Sequence, residues 1–123
     1  MKKIINVFII IFLYVSNCEA QISEDYPFKT YLDSINNIYT TGYEYNLSTK
    51  DIFIQKISNS SNSGDSWKYN LQGTYGDDRG LDLAVDRLGN TFVTGYIYNT
   101  VTSSNDIIVI SLNPNGTFKW SRI

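Results

Sequence analysis

From Phe28 onward, apolar and β-branched residues recur on every second position in short runs, and turn-forming residues punctuate the runs. Thr91-Phe92-Val93-Thr94-Gly95-Tyr96-Ile97-Tyr98 is representative: one set of alternate side chains is Phe, Thr, Tyr, Tyr and the other Thr, Val, Gly, Ile. Period-two runs rich in Val, Ile, Thr, Tyr and Phe predict strands with two distinct faces. Eight such runs are read here: Phe28 to Asp33, Asn37 to Tyr45, Asp51 to Ser58, Trp67 to Leu71, Asp82 to Asp86, Thr91 to Tyr98, Asp106 to Leu112 and Thr117 to Ile123. Arg87-Leu88-Gly89-Asn90 and Asn113-Pro114-Asn115-Gly116 separate runs in the second half, and Asn-Gly closing a Pro-containing turn signals a hairpin.

The runs are organised as a repeat. Asp33, Asn37, Thr41, Gly42, Tyr43, Tyr45 and Asn46 recur 53 residues later as Asp86, Asn90, Thr94, Gly95, Tyr96, Tyr98 and Asn99. Asp51 to Ile57 recurs as Asp106 to Leu112 at an offset of 55, and Trp67 returns as Trp120 at 53. Length changes confined to loops, with strand register kept, mark a structural repeat. Four antiparallel strands in some 40–50 residues is the unit of a propeller blade. The expected fold is all-β: two tandem four-stranded antiparallel blades, over 21–73 and 74–123, after an N-terminal export segment at 1–20.

The stretch from Gly73 through Gly76-Asp77-Asp78-Arg79-Gly80-Leu81-Asp82 to Tyr96, continued by Asp106 to Trp120, resembles the bacterial seven-bladed β-propeller repeat. The first unit joins the pattern from Asp33 onward, whereas the Gly-Asp-Asp lead-in is absent from Gln21 to Tyr31. A six-bladed repeat with a similar Val-Asp-x-x-Gly-Asn core is the rival, and the 53-residue period and terminal Trp favour the first. The resemblance implies an extracytoplasmic propeller and carries over no catalytic residue.

One apolar run does not alternate. Met1-Lys2-Lys3, then Ile4 to Val15 interrupted only by Asn6, then Cys18-Glu19-Ala20, has the basic, apolar and small-residue regions of a secretory signal. The run is shorter than the roughly 20 apolar residues a spanning helix needs. Cleavage is expected after Ala20, leaving Gln21 as the new N-terminus; the alternative is lipidation at Cys18, which alone would place the chain on a membrane. Without Cys18 no cysteine remains, so no disulfide can staple the fold.

From Gln21 the chain keeps 8 Lys+Arg against 11 Asp+Glu, and it has no histidine. Mild, scattered acidity argues against nucleic acid and anionic membranes as partners. Lack of histidine removes the commonest general base and transition-metal ligand. No catalytic residue and no cofactor is assigned. Asp77, Asp78 and Asp82 form the single acidic cluster outside the repeat pattern and are weak candidates for calcium. Residues found at the same place in both units, such as Trp67 and Trp120, are read as architectural.

The functional expectation is a secreted or cell-surface interaction module without catalysis. The alternatives are a fragment of a propeller enzyme whose active site needs further blades, and a non-functional gene remnant. Closed propellers use about four to eight blades, so two blades leave two flanks bare. Alternation predicts both flanks to be apolar, covered by further blades through self-association or a partner chain.

Overall fold

The computed structural model describes residues 24–46, 49–71 and 76–123. The expected export segment, with Cys18, Ala20 and Gln21, lies outside them, as does the expected boundary at 73/74. The described chain is all-β and forms two four-stranded antiparallel sheets. The first contains β1 (Asp25–Leu32), β2 (Ile38–Asn46), β3 (Thr49–Ile57) and β4 (Trp67–Asn70), in that spatial order. The second contains β5 (Arg79–Val85), β6 (Thr91–Asn99), β7 (Ser104–Leu112) and β8 (Phe118–Arg122), again in chain order. A 3₁₀ turn, Ser63–Asp65, sits in the β3–β4 connection. We call the sheets blade 1 and blade 2.

Three hairpins are built by one device. The Asp86 carbonyl accepts from Gly89 N at 3.0 Å, and Asp86 N donates to the Asn90 carbonyl at 3.0 Å. Gly89 adopts φ 84° between them. Asp33 to Asn37 repeats this with Asn36 at φ 66°, and Asn113 to Thr117 with Gly116 at φ 81°. A tight turn ending on a left-handed residue suits the right-handed twist of paired strands, and Gly and Asn tolerate that conformation best.

β1 and β5 begin three residues earlier than the alternation predicted, because each passes through a bulge. Pairing with the next strand slips between Pro27 and Lys29 in blade 1, and between Gly80 and Asp82 in blade 2. One inserted residue breaks period two and hides the continuation of the strand. The bulge also explains the invariant glycine of the repeat. A Cβ on Gly42 would fall on the carbonyl oxygen of Tyr26, and one on Gly95 on that of Arg79.

The blades share one core. Tyr39, Ile52 and Ile54 from blade 1 are buried with Leu83, Val93, Ile108, Ile110 and Leu112 from blade 2. Cross-strand register puts the first set on one face of blade 1 and the second on one face of blade 2. The blades therefore stack face against face. Each such side chain contributes about 1.5–3 kcal/mol relative to exposure. β5 runs along the junction, and at Gly80 a side chain would strike Thr41.

Candidate functional site

Two features could meet another molecule: the cleft between the blades and their outer faces. The cleft has a volume of about 510 Å³ and is lined by Tyr31, Tyr39, Lys56, Val85, Leu88 and Pro114 together with the Asp33 and Asp86 turns. Its size lies within the usual range for small-molecule sites, but its acids are already committed. Asp86 accepts from Leu88 N, Asn90 N and Asn90 Nδ2 at 2.7–2.9 Å. Asp33 accepts from Ile35 N, Asn37 N and Asn37 Nδ2 at 2.8–3.0 Å. The Asn90 side chain, with the turn N–H groups, holds the Asp86 carboxyl below its ordinary value. Burial pushes the Asp33 carboxyl up, but the Asn37 and Ile35 donors overcome it and hold it down as well. A general acid needs the opposite, a raised pKa. These carboxylates serve as turn caps.

The acidic cluster is drawn apart. Asp77 is ion-paired with Lys50. Asp78 is fully buried, and its carboxylate accepts from Tyr98 N at 2.8 Å while its own N–H donates to the Lys50 carbonyl at 2.7 Å. Asp82 faces Lys29 at 3.3 Å, and its carboxyl is held below the ordinary value by the Leu83 N–H and then by Lys29. Among the described residues, no three His, Cys, Asp or Glu side chains are grouped as a metal site.

The blade faces carry more specific chemistry. On the blade 1 face that meets blade 2, Trp67 donates from Nε1 to the Pro114 carbonyl at 3.0 Å. Its indole lies over Gly116, where any side chain would collide with the ring. Tyr69 stacks on Phe118 with centroids 6.3 Å apart. Arg79 of β5 places its guanidinium 5.1 Å from the Tyr43 centroid and 6.0 Å from that of Tyr96, joining the blades by cation–π contact. Tyr43 is otherwise packed on Tyr26, Phe28 and Tyr45.

The corresponding face of blade 2 points away from blade 1. It carries Phe92, Thr94, Tyr96, Ile107, Val109 and Trp120 where blade 1 has Tyr39, Thr41, Tyr43, Ile52, Ile54 and Trp67. Ile52 is fully buried, whereas its counterpart Ile107 is 76% exposed. Trp120 packs on Phe92 and under Arg122. Among the described residues no acceptor meets its indole N–H.

The outer face of blade 1 departs from the expected apolar flank. Glu44 accepts from Lys68 and from Asn70, and Lys68 also bonds Asp25 at 3.1 Å. The Lys68 ammonium stands 5.1 Å from the Phe53 centroid, so this sheet roofs its own buried ring with a charge. Leu32, Ile38 and Ile57 remain exposed at one end of that face. Sequence reasoning missed this network because it aligned the identities of the repeat; aligning the differences at core positions would have found it.

No family model, curated protein or solved structure matches this chain.

Proposed function

We propose that the chain is an exported, non-catalytic interaction module of the β-propeller repeat type, whose binding surface is the outward face of blade 2. One observation carries this reading: the face that seats blade 2 on blade 1 recurs on blade 2, with its Trp, Tyr, Thr and aliphatic positions kept and, among the described residues, no blade against it. Exposed apolar surface of this kind, rimmed by polar groups, marks an interaction site. The partner is a further blade of the same repeat type. The assignment to the bacterial repeat family and to an extracytoplasmic address rests on Gly73 to Trp120 and on Met1 to Ala20.

A photo-cross-linking residue placed at Ile107 in the exporting cell tests the surface. A discrete adduct is expected there and not from the same probe at Val101, which is 91% exposed in the β6–β7 loop. Equal labelling at both positions, or none at Ile107, would remove the docking reading. Intact mass of the exported protein tests the address; a chain starting at Gln21 is expected.

A further inference from the structure

We propose that the cleft between the blades is a binding site for a neutral oligosaccharide. The inference does not depend on the outward face of blade 2, because residues of both described blades line the cleft. It follows from one row of cross-strand partners. Register aligns Tyr31 of β1, Tyr39 of β2, Lys56 of β3 and Trp67 of β4 across the face of blade 1 that meets blade 2. The same row of blade 2 reads Ala84, Phe92, Ser111 and Trp120. The tryptophan is kept, as a residue serving the architecture should be. At the other three positions blade 1 gains two phenolic hydroxyls, one further ring and one ammonium. Blade 2 pairs the same four strands without any of them, so the blade itself does not require these groups.

Tyr31, Tyr39 and Lys56 all line the cleft of about 510 Å³. Tyr31 is 39% exposed and leans on Tyr39 with centroids 6.4 Å apart, so its ring is offered to solvent. Lys56 is half-buried and stands 5.8 Å from the Tyr39 centroid. Arg87 reaches the cleft from the Asp86 turn of blade 2. Among the described residues neither cation makes a hydrogen bond or an ion pair, so their N–H groups are available as donors. Lys56 also lines a second hollow of about 330 Å³, together with Ser58, Asn59, Ser60 and Asp65 of the β3–β4 connection. There Ser60 Oγ accepts from Asn62 N at 3.1 Å and keeps its own proton to donate, while Asn59 and Asp65 supply acceptors.

The chemistry of the lining selects the ligand. Lys56 and Arg87 are matched in the cleft by Asp33 and Asp86, and Asp65 adds a third carboxylate in the second hollow. An anion therefore gains no net attraction. A cation meets carboxylates already engaged by their own turns. A neutral sugar suits both facts. Its ring offers a face of C–H bonds to an aromatic side chain and a rim of hydroxyls that both donate and accept. Tyr31 answers the first, and the ammonium, guanidinium, hydroxyl and amide groups answer the second. Each hollow has the size usual for a small-molecule site. Two hollows that share Ile35, Asn37 and Lys56 suit linked sugar units better than a single one.

Titration calorimetry of the purified protein tests this with maltopentaose, cellopentaose, xylopentaose and chitopentaose, and with pentagalacturonate as the acidic comparison. At least one neutral sugar is expected to bind, and pentagalacturonate more weakly. The variant Tyr31→Ala, Tyr39→Phe, Lys56→Ser gives the blade 1 row the residues that blade 2 carries. It should weaken binding about tenfold or more, since one lost hydrogen bond to a charged donor is of that order. Tyr26→Ala removes an equally exposed tyrosine of the same strand that does not line the cleft, and should leave the affinity unchanged. Ile107→Lys should leave it unchanged too, so the outward face of blade 2 stands or falls separately. Failure of every neutral sugar to bind, tighter binding of pentagalacturonate, or full affinity in the folded triple variant overturns the proposal. Should the triple variant fail to fold, backbone amide shifts of the wild type on sugar titration decide. Shifts gathered at Tyr31, Lys56 and Leu88 support the site, and shifts gathered around Ile107 overturn it.

Discussion

At the scale of single residues, what repeats is what the backbone needs. Asp33 and Asp86 each accept three hydrogen bonds from a turn that would otherwise leave its N–H groups unmet. Both carboxyls are held below the ordinary value of 3.8. Their contribution is therefore complete above that value and is lost as pH falls through the depressed folded values. In thermal melts between pH 7 and pH 3, the double variant Asp33→Asn with Asp86→Asn should start less stable and lose less on acidification. An unchanged pH slope would show that the caps do not govern acid stability. Gly95 is constrained differently: the Arg79 carbonyl occupies the place of a Cβ. Backbone cannot move aside as a side chain can, so Gly95→Ala should destabilise by at least about 1–3 kcal/mol, the usual range for overpacking. Chemical denaturation measures this, and a neutral result would mean that the bulge relaxes freely.

At the scale of strands and turns, much was legible because each element answers to a local rule. Alternation gave the eight strands to within a few residues, and Asn113-Pro114-Asn115-Gly116 gave its hairpin. The starts of β1 and β5 were not legible, since the bulges after Pro27 and Gly80 shift the period by one. Nor does alternation say which face of a strand will be covered. Thr40 and Val93 hold the same place in the repeat, yet Thr40 stays half-buried and donates its hydroxyl to the Lys29 carbonyl, whereas Val93 is fully buried in the core. The two tryptophans show the same limit. Identical spacing suggested identical roles, but Trp67 bridges the blades through Pro114 while Trp120 packs on its own sheet against Phe92. Trp67→Ala should thus approach the 3–5 kcal/mol typical of removing a packed aromatic, and Trp120→Ala should cost clearly less, by about 1–2 kcal/mol. Equal losses in urea unfolding would mean that the inter-blade contact adds nothing beyond intrasheet packing.

At the scale of the whole molecule, the decisive fact is that neither blade owns its core. Tyr39, Ile52 and Ile54 have their apolar faces covered by Leu83, Val93, Ile108 and Ile110, and β5 lies against the first blade along the junction. Pulling the sheets apart would expose these side chains together, along with the Trp67 indole and the Tyr69 ring on Phe118. Small β-units separated from such a partner bury too little surface to offset chain entropy. The blades should therefore unfold as one cooperative unit. Each contains one tryptophan, which makes the claim measurable blade by blade. In Trp120→Phe the fluorescence reports blade 1 through Trp67, and in Trp67→Phe it reports blade 2 through Trp120. In each variant, the fluorescence transition should coincide with the loss of β-sheet circular dichroism from the whole molecule. Adding Ile52→Ala, which truncates a fully buried side chain of blade 1, should lower stability by about 2–5 kcal/mol. Its effect should reach the Trp120 signal of blade 2 as fully as the Trp67 signal of blade 1. If Ile52→Ala moves the blade 1 transition and leaves that of blade 2 in place, the sheets are separate folding units joined by a weak contact, and a shared core is the wrong description of this molecule.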